Sequence, residues 1–369
     1  MSTKNTFANP DPEIIGTLRE DLRRGDFGQT IRREFGELKE YMVDEERTKR
    51  LAEMGLIKRW LVLIWWLLKS MFFRLTPARR IIIVMGLVLI FVSKTVIYSD
   101  EHLSIQGQTN GLGILAILFV LMLELKDKLV AHDELKAGRA VQQALMPERK
   151  PHVSGWEIWL FTRSANEVGG DLVDFMKISD NRFGIAIGDV AGKGLSAALL
   201  TAKLQATLRA LVAEFTSLSS LGVKINQIFC RDSLRNIFAS LAYCEIAPDS
   251  GSVRLVNAGH IPPLILKEGS VTKLEKGGVA LGIMPGAMYD EHILNLESGN
   301  ALLIYSDGVT EAQNATGDFF GEQRLLSLLT RIGNLPAEQV GDRLVAEVGR
   351  FVGESKAHDD LSIVIVKKQ

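Results

Sequence analysis

The alternation of apolar and polar positions changes character several times along this chain of 369 residues. Residues 1–56 are dense in Arg, Glu, Asp and Lys, and 21–33 and 35–51 read as solvated helices. Apolar runs then crowd together. Residues 60–75 carry Trp60, Trp65 and Trp66, bracketed or interrupted by Lys58, Arg59, Lys69 and Arg74. That pattern predicts an amphipathic helix over 57–76 lying in a membrane interface. Residues 81–98 form 18 positions with one charge, Lys94, and residues 111–125 form 15 positions with Glu124 inside. At ~1.5 Å rise per residue the first run approaches the ~30 Å hydrocarbon core; the second falls short of the usual ~17–25 residues and would have to start earlier or cross a thinned bilayer. Two transmembrane helices are therefore expected within 80–125, joined by the polar stretch 99–110, which lacks Lys and Arg. Arg79, Arg80, Lys126 and Lys128 flank the pair and predict cytoplasmic flanks. A third span over 60–75 would put Lys58 and Arg59 outside, against the same rule. The bland alternative is three core helices.

Residues 125–145 keep a rough helical spacing through Leu125, Leu129, Leu135, Val141 and Leu145, and Met146-Pro147 ends it. This predicts a helical linker over 126–147, either a coiled-coil stalk that pairs two copies or a helix packed on the following domain; His132 and Arg139 interrupt a clean heptad. From 148 to 369 the texture is different. Short strand-like runs (156–162, 183–187, 239–246, 253–256, 263–267, 301–305, 361–366) come in consecutive groups, separated by helix-like stretches at 194–215, 222–231, 322–331 and 337–352. Grouped strands predict an α+β domain built on antiparallel sheets.

Composition removes some function classes. Lys plus Arg total 43 against 44 Asp plus Glu, a formal charge of −1, and no basic stripe interleaves with aromatics, so nucleic acid is not an expected partner. Cys230 and Cys244 lack metal-type spacing and read as reduced thiols. The charged, helical opening does not match a secretory leader.

The chemistry concentrates in four acidic motifs: Glu167-Val168-Gly169-Gly170-Asp171, Gly188-Asp189-Val190-Ala191-Gly192-Lys193-Gly194, Ser306-Asp307-Gly308 and His358-Asp359-Asp360. Apolar runs lead into Asp189 and Asp307 and out of Asp360, so these carboxylates sit at ends of buried strands. Asp171 and Asp189 flank a hairpin expected to turn at Ser179-Asp180-Asn181, which would set them side by side. An Asp-Gly pair alone is usually a turn. Four acidic sites at strand ends of one domain suit hard divalent cations such as Mg²⁺ or Mn²⁺.

These stretches, with Val141-Gln142-Gln143-Ala144-Leu145-Met146-Pro147, Asn257-Ala258-Gly259-His260-Ile261-Pro262-Pro263 and Tyr305-Ser306-Asp307-Gly308-Val309-Thr310-Glu311-Ala312, occur in the order of the PPM-type metal-dependent serine/threonine phosphatases. Residues 140–369 resemble the bacterial SpoIIE-like and RsbU-like branch. The resemblance implies a β-sandwich flanked by helices on both sides (α-β-β-α), and hydrolysis of phosphoserine or phosphothreonine on a partner of the anti-anti-sigma, STAS-like kind. It implies two Mn²⁺ or Mg²⁺ ions, with Asp189, Asp307 and Asp359 as the catalytic ligands. Asp189 would bridge, the Val190 carbonyl would add a ligand, and Asp171 would bind peripherally. Asp360 and Glu167 would lie in the outer shell, with Asp174 a further candidate there. Lys193 stands where many members have histidine, and the phosphate-contacting arginine of the eukaryotic branch has no secure match here, Arg163 being no more than a nearby candidate; substrate contacts are undefined.

Other signals weigh less. Gly192-Lys193-Gly194 is not a P-loop, because Ile187 occupies the place of the required first glycine. His132-Asp133-Glu134-Leu135 resembles a sensor-kinase phosphoacceptor box, but no ATP-binding boxes follow. His260 reads as a structural turn residue, with substrate contact as the alternative. The expectation is a membrane-tethered phosphatase at the bacterial inner membrane with its catalytic domain in the cytoplasm; the alternatives are a membrane histidine kinase or a non-catalytic signalling scaffold.

Overall fold

The computed structural model describes residues 54–91, 96–100, 103–107, 110–232 and 237–369. The helices expected at 21–33 and 35–51, and Lys94, lie outside the described residues. The chain forms two compact units, Met1–Lys128 and Leu129–Gln369.

In the first unit, α1 (Leu56–Arg74) and α2 (Pro77–Phe91) are separated by Leu75 and Thr76, and a hairpin of β1 (Val96–Asp100) and β2 (Leu103–Gly107) precedes α3 (Asn110–Leu145). Small residues let α2 and α3 approach closely: a Cβ on Gly113 would fall 2.4 Å from the Gly86 carbonyl oxygen. Arg79 of α2 reaches Glu124 and Asp127 of α3 at 2.5 and 2.6 Å. Most other apolar side chains here face outward, including Trp60, Trp65, Phe91 and Phe119.

The two expected spans are corrected. Among the described residues no helix is long and apolar enough to cross a membrane. The run 81–98 is not one helix: α2 stops at Phe91 after 15 residues, about 22 Å, and Val96–Asp100 pairs with Leu103–Gly107 instead. Helix α3 runs 36 residues, but its apolar part gives way to Glu124, Lys126, Asp127 and Lys128.

The second unit stacks two five-stranded antiparallel sheets, in the orders β10-β7-β6-β5-β4 and β3-β12-β11-β8-β9. The first contains β4 (Asp171–Ser179), β5 (Arg182–Val190), β6 (Ala239–Ile246), β7 (Ser252–Ala258) and β10 (Glu291–Asn295). The second contains β3 (Trp156–Arg163), β8 (Leu264–Lys267), β9 (Ser270–Lys273), β11 (Ala301–Tyr305) and β12 (Leu361–Lys368). Period-two alternation divides the strand side chains between two faces. Ile185, Ile187, Leu302, Ile304, Val364 and Val366 fill the seam between the sheets. Ala186, Leu241 and Tyr243 face α4 (Leu195–Leu211) and α5 (Leu218–Asp232) on one outer side. Leu303, Tyr305, Ile363 and Ile365 face α7 (Glu322–Ile332) and α8 (Ala337–Val352) on the other, after the one-turn α6 (Asp307–Thr310). The layers are α-β-β-α. Strands β9 and β10 had no apolar run to announce them; their exposed and half-buried residues make edge strands.

Candidate active site

Strand parity explains why the acidic residues meet. Asp171 shares the seam side of β4 with Val173, and Asp189 shares the seam side of β5 with Ile185 and Ile187. The hairpin pairs Ser179 with Arg182 across Asp180-Asn181 and sets Asp171 directly opposite Asp189. In the other sheet, Tyr305 at the end of β11 pairs with Ile363 of β12, so Asp307 and Asp359 leave at the same end. Three backbone-linked serine contacts lock these exits together: Ser306 N–H donates to the Ser362 carbonyl at 3.0 Å, Ser362 N–H donates to Ser306 Oγ at 2.9 Å, and Ser306 Oγ donates to the Asp360 carbonyl at 3.1 Å. Only glycine fits after Asp307, since a Cβ on Gly308 would fall 1.9 Å from the Asp360 carbonyl oxygen.

The result is one acidic end of the sandwich. Burial pushes the Asp171 carboxyl well above its usual range, and the charges of Asp189 and Asp360 add to the shift while Ser362 and Ser306 hydroxyls oppose it. Burial, with Asp307, Asp359 and Asp360 next in order, pushes Asp189 to about 6; Lys193 opposes. Asp307 is raised by burial, then by Asp359 and Glu311. Asp359 is exposed, with Lys193 Nζ at 3.7 Å, and the same Nζ donates to the His358 carbonyl at 2.9 Å. Asp171 Oδ2 is buried with no hydrogen-bond partner among the described residues.

Among the described residues no group of three or more His, Cys, Asp or Glu is already drawn together as a metal cage. The donors nevertheless fit a hard divalent cation: mutually repelling carboxylates, one orphaned buried oxygen, and the Val190 carbonyl beside the Gly170 backbone, within 3.1 Å of where a Cβ would stand. Asp360 is buried and accepts from the N–H groups of Ala165, Gly170 and Asp171 at 2.7, 2.6 and 3.3 Å, which shapes the loop leading into Asp171. Glu167 instead pairs with Arg139 at 3.4 Å. Asp174 faces the helices, where Arg209 holds it with two contacts of 2.7 Å. A cleft beside the cluster is lined by Arg163, Gly308, Glu311, Lys356, His358 and Asp359. His132 lies half-buried on α3.

Three supporting residues escaped the sequence reading. Gln142 of α3 pairs with both backbone groups of Gly169, donating at 2.9 Å and accepting at 3.1 Å. Thr201 Oγ1 donates to the Gly170 carbonyl at 2.5 Å. Ser240 Oγ accepts from the Asp189 N–H at 3.2 Å. Gln142 lies in a quoted motif; Thr201 and Ser240 sit in apolar surroundings that give no local sign of the contact. His260 is buried under the cluster, and burial lowers its imidazole to about 4, so the ring is neutral. At 5% exposure it is placed as the structural reading expects.

The model of the family described as Stage II sporulation protein E (SpoIIE) matches residues 179–369, a stretch that begins just after Asp171 and holds Asp189, Asp307 and Asp359. Protein IcfG of Synechocystis sp. (strain ATCC 27184 / PCC 6803 / Kazusa) is 30% identical over 297 residues, covering 70% of this chain and 46% of its own length. The chain thus spans about half of that relative. Phosphoserine phosphatase RsbU of Bacillus subtilis (strain 168) is 24% identical over 238 residues, 64% of this chain and 70% of its own. Among solved structures, the SiaA-PP2C domain of Pseudomonas aeruginosa aligns with a TM-score of 0.57 at 19% identity, covering 66% of this chain and 98% of that one. The fold is PP2C-like.

Proposed function

The chain belongs to the Stage II sporulation protein E (SpoIIE) family, and from that premise we propose that it is a metal-dependent protein phosphatase. Its substrate is phosphoserine or phosphothreonine on a regulatory partner of the anti-anti-sigma, STAS-like kind. One observation carries the reading: Asp171, Asp189, Asp307 and Asp359 converge on one end of the seam, and among the described residues none of them forms an ion pair with an arginine. Bound divalent ions, two Mn²⁺ or Mg²⁺, would supply charge neutralisation at phosphate and a water of lowered pKa. Asp189 and the Val190 carbonyl are central to holding them, with Asp307 and Asp359 on the β11–β12 side and Asp171 on the β4 side. Asp360 keeps the Asp171 loop in shape. Arg163, Lys356 and Lys193 border the cleft and provide positive charge for an incoming phosphate dianion. No side-chain nucleophile is required.

The test is phosphate release from a phosphoserine peptide by the full chain with Mn²⁺ or Mg²⁺, stopped by a chelator. No release with either ion would leave a non-catalytic signalling scaffold. An Asp307→Asn variant that retains a phosphorylated partner would name the substrate.

The proposal extends to place and assembly. The outward Trp60, Trp65, Phe91 and Phe119 of the first unit suit attachment to a lipid bilayer at the bacterial inner membrane, with the catalytic unit on the cytoplasmic side. Flotation with anionic lipid vesicles tests this; a protein that stays at the bottom of the gradient removes it. Exposed Leu129 and Val141 on α3 suit a homodimer seam. Equal mass by light scattering for wild type and Leu129→Glu would remove that part.

A further inference from the structure

We propose that His260 is a positioning residue for Asp189, acting through the Ser240 hydroxyl to fix the backbone that presents this carboxylate to a divalent cation. The inference rests on the phosphatase reading above. Its chain of contacts is short. Register places Asp189 opposite Ser240 across β5 and β6. The Asp189 N–H points at Ser240 Oγ at 3.2 Å, and His260 Nδ1 lies 2.9 Å from the same oxygen. Since that oxygen accepts from Asp189, its own proton is free to go to Nδ1. The ring proton then sits on Nε2, which is buried, lies by the backbone of Tyr305 and has no hydrogen-bond partner of normal geometry among the described residues. Tyr305 belongs to the opposite sheet, two residues before Asp307. The imidazole therefore stands in the seam, between the strand that ends in Asp189 and the strand that leads to Asp307.

The segment carrying His260 is itself fixed. Its N–H donates to Asn257 Oδ1 at 2.8 Å, and Asn257 Nδ2 donates to its carbonyl at 3.1 Å. Gly259 turns the chain at φ 74°, where a Cβ would fall 2.5 Å from the Ala280 nitrogen. So rigid a mount gives the ring one orientation. Packing alone does not account for it: at 5% exposure an imidazole with one unpartnered nitrogen is costlier than an apolar side chain of similar size. An outer partner of this kind is typically worth ~10–100-fold in metal affinity.

The experiment measures Mn²⁺ binding to the full chain by the loss of the free-ion electron paramagnetic resonance signal, alongside activity and circular dichroism. His260→Phe is expected to weaken Mn²⁺ binding ~10–100-fold with an unchanged spectrum. His260→Asn, whose amide can occupy the place of Nδ1, should restore most of the affinity; His260→Gln, which reaches only the place of Nε2, should not. Ser240→Ala should match His260→Phe, and the double variant should lose no more than either single. If His260→Phe does not fold, the Asn–Gln contrast and Ser240→Ala still decide. Wild-type affinity in Ser240→Ala, equal rescue by Asn and Gln, or additive losses would overturn the proposal. A wild-type chain that binds Mn²⁺ but releases no phosphate would defeat only the phosphatase reading; one that binds no Mn²⁺ would defeat both.

Discussion

Glu245 and Asp174, at 3% and 0% exposure, are each met by arginine, whereas the half-buried Asp171, Asp189 and Asp307 form no ion pair with arginine among the described residues. Glu245 takes Arg182 at 2.7 and 3.1 Å and Arg254 at 3.2 Å, with the Tyr243 hydroxyl donating at 2.9 Å. Asp174 takes the Arg209 fork at 2.7 Å on each oxygen. At the acidic end the exposed Lys193 stands 3.7 Å from Asp359. An isolated buried charge is costly unless paired. Where a carboxylate only ties sheet to helix, this chain brings its own guanidinium. There burial, and then the neighbouring carboxylates, raise the pKa of Asp171, Asp189 and Asp307, and under the proposed function a bound divalent cation would relieve that repulsion.

The sharpest test of that contrast is removal of a carboxylate at the uncompensated end. Asp189→Asn or Asp307→Asn should cut phosphate release with Mn²⁺ at least ~100-fold, beyond the usual cost of losing an outer partner, with the circular dichroism spectrum intact. Wild-type rates in either variant would overturn the ligand assignment. The mirror experiment is Arg209→Met, which leaves the fully buried Asp174 without its cation. It should lower unfolding free energy by about 3 kcal/mol in urea titrations while leaving Mn²⁺ affinity alone.

The acidic end should also impose its own pH dependence. Asp189 has a folded value of about 6 against 3.8 for the free group, so the folded state holds this proton more tightly. Between those two values the native state binds more protons, and metal-free stability falls as pH rises through the window. Neutral His260 works in the opposite sense: its folded value of about 4 lies below the ordinary 6.5, so its contribution is complete above 6.5 and is lost as pH falls towards 4. Melting temperatures without metal, compared for wild type and Asp189→Asn, separate the two; the variant should lose Asp189's share of the limb in which stability falls with rising pH, while the raised Asp171 and Asp307 keep the rest. Saturating Mn²⁺ should stabilise wild type more at pH 7 than at pH 5. The smallest effect is expected at Lys193→Met. Removing an exposed cation 3.7 Å from Asp359 should tighten Mn²⁺ binding by less than about fivefold.

Much of the second unit is readable without coordinates. The runs 239–246 and 301–305 coincide with β6 and β11, and α8 spans the expected 337–352. Asp171 and Asp189 were expected side by side because a short turn between two apolar segments leaves few other registers. The first unit was less readable. Its apolar count suggested spans, yet α2 covers Pro77–Phe91 and Val96–Asp100 pairs as a strand, because composition measures greasiness and not where a helix stops. Glu124 illustrates the limit: in sequence it is a charge within an apolar run, and in the structure it is Arg79's partner from another helix.

Local pattern thus determined most of the core strands and helices, the antiparallel class and which aspartates end buried strands, since period-two alternation and turn chemistry act over neighbours; the edge strands β9 and β10 escaped it. Only the tertiary structure decided that Asp174 belongs to Arg209 and not to the acidic end, that Glu167 turns to Arg139, and that Ser240 and His260 stand beneath Asp189. Such contacts depend on which strand faces which across the seam, and that is settled when the two sheets pack and not by any short stretch of chain.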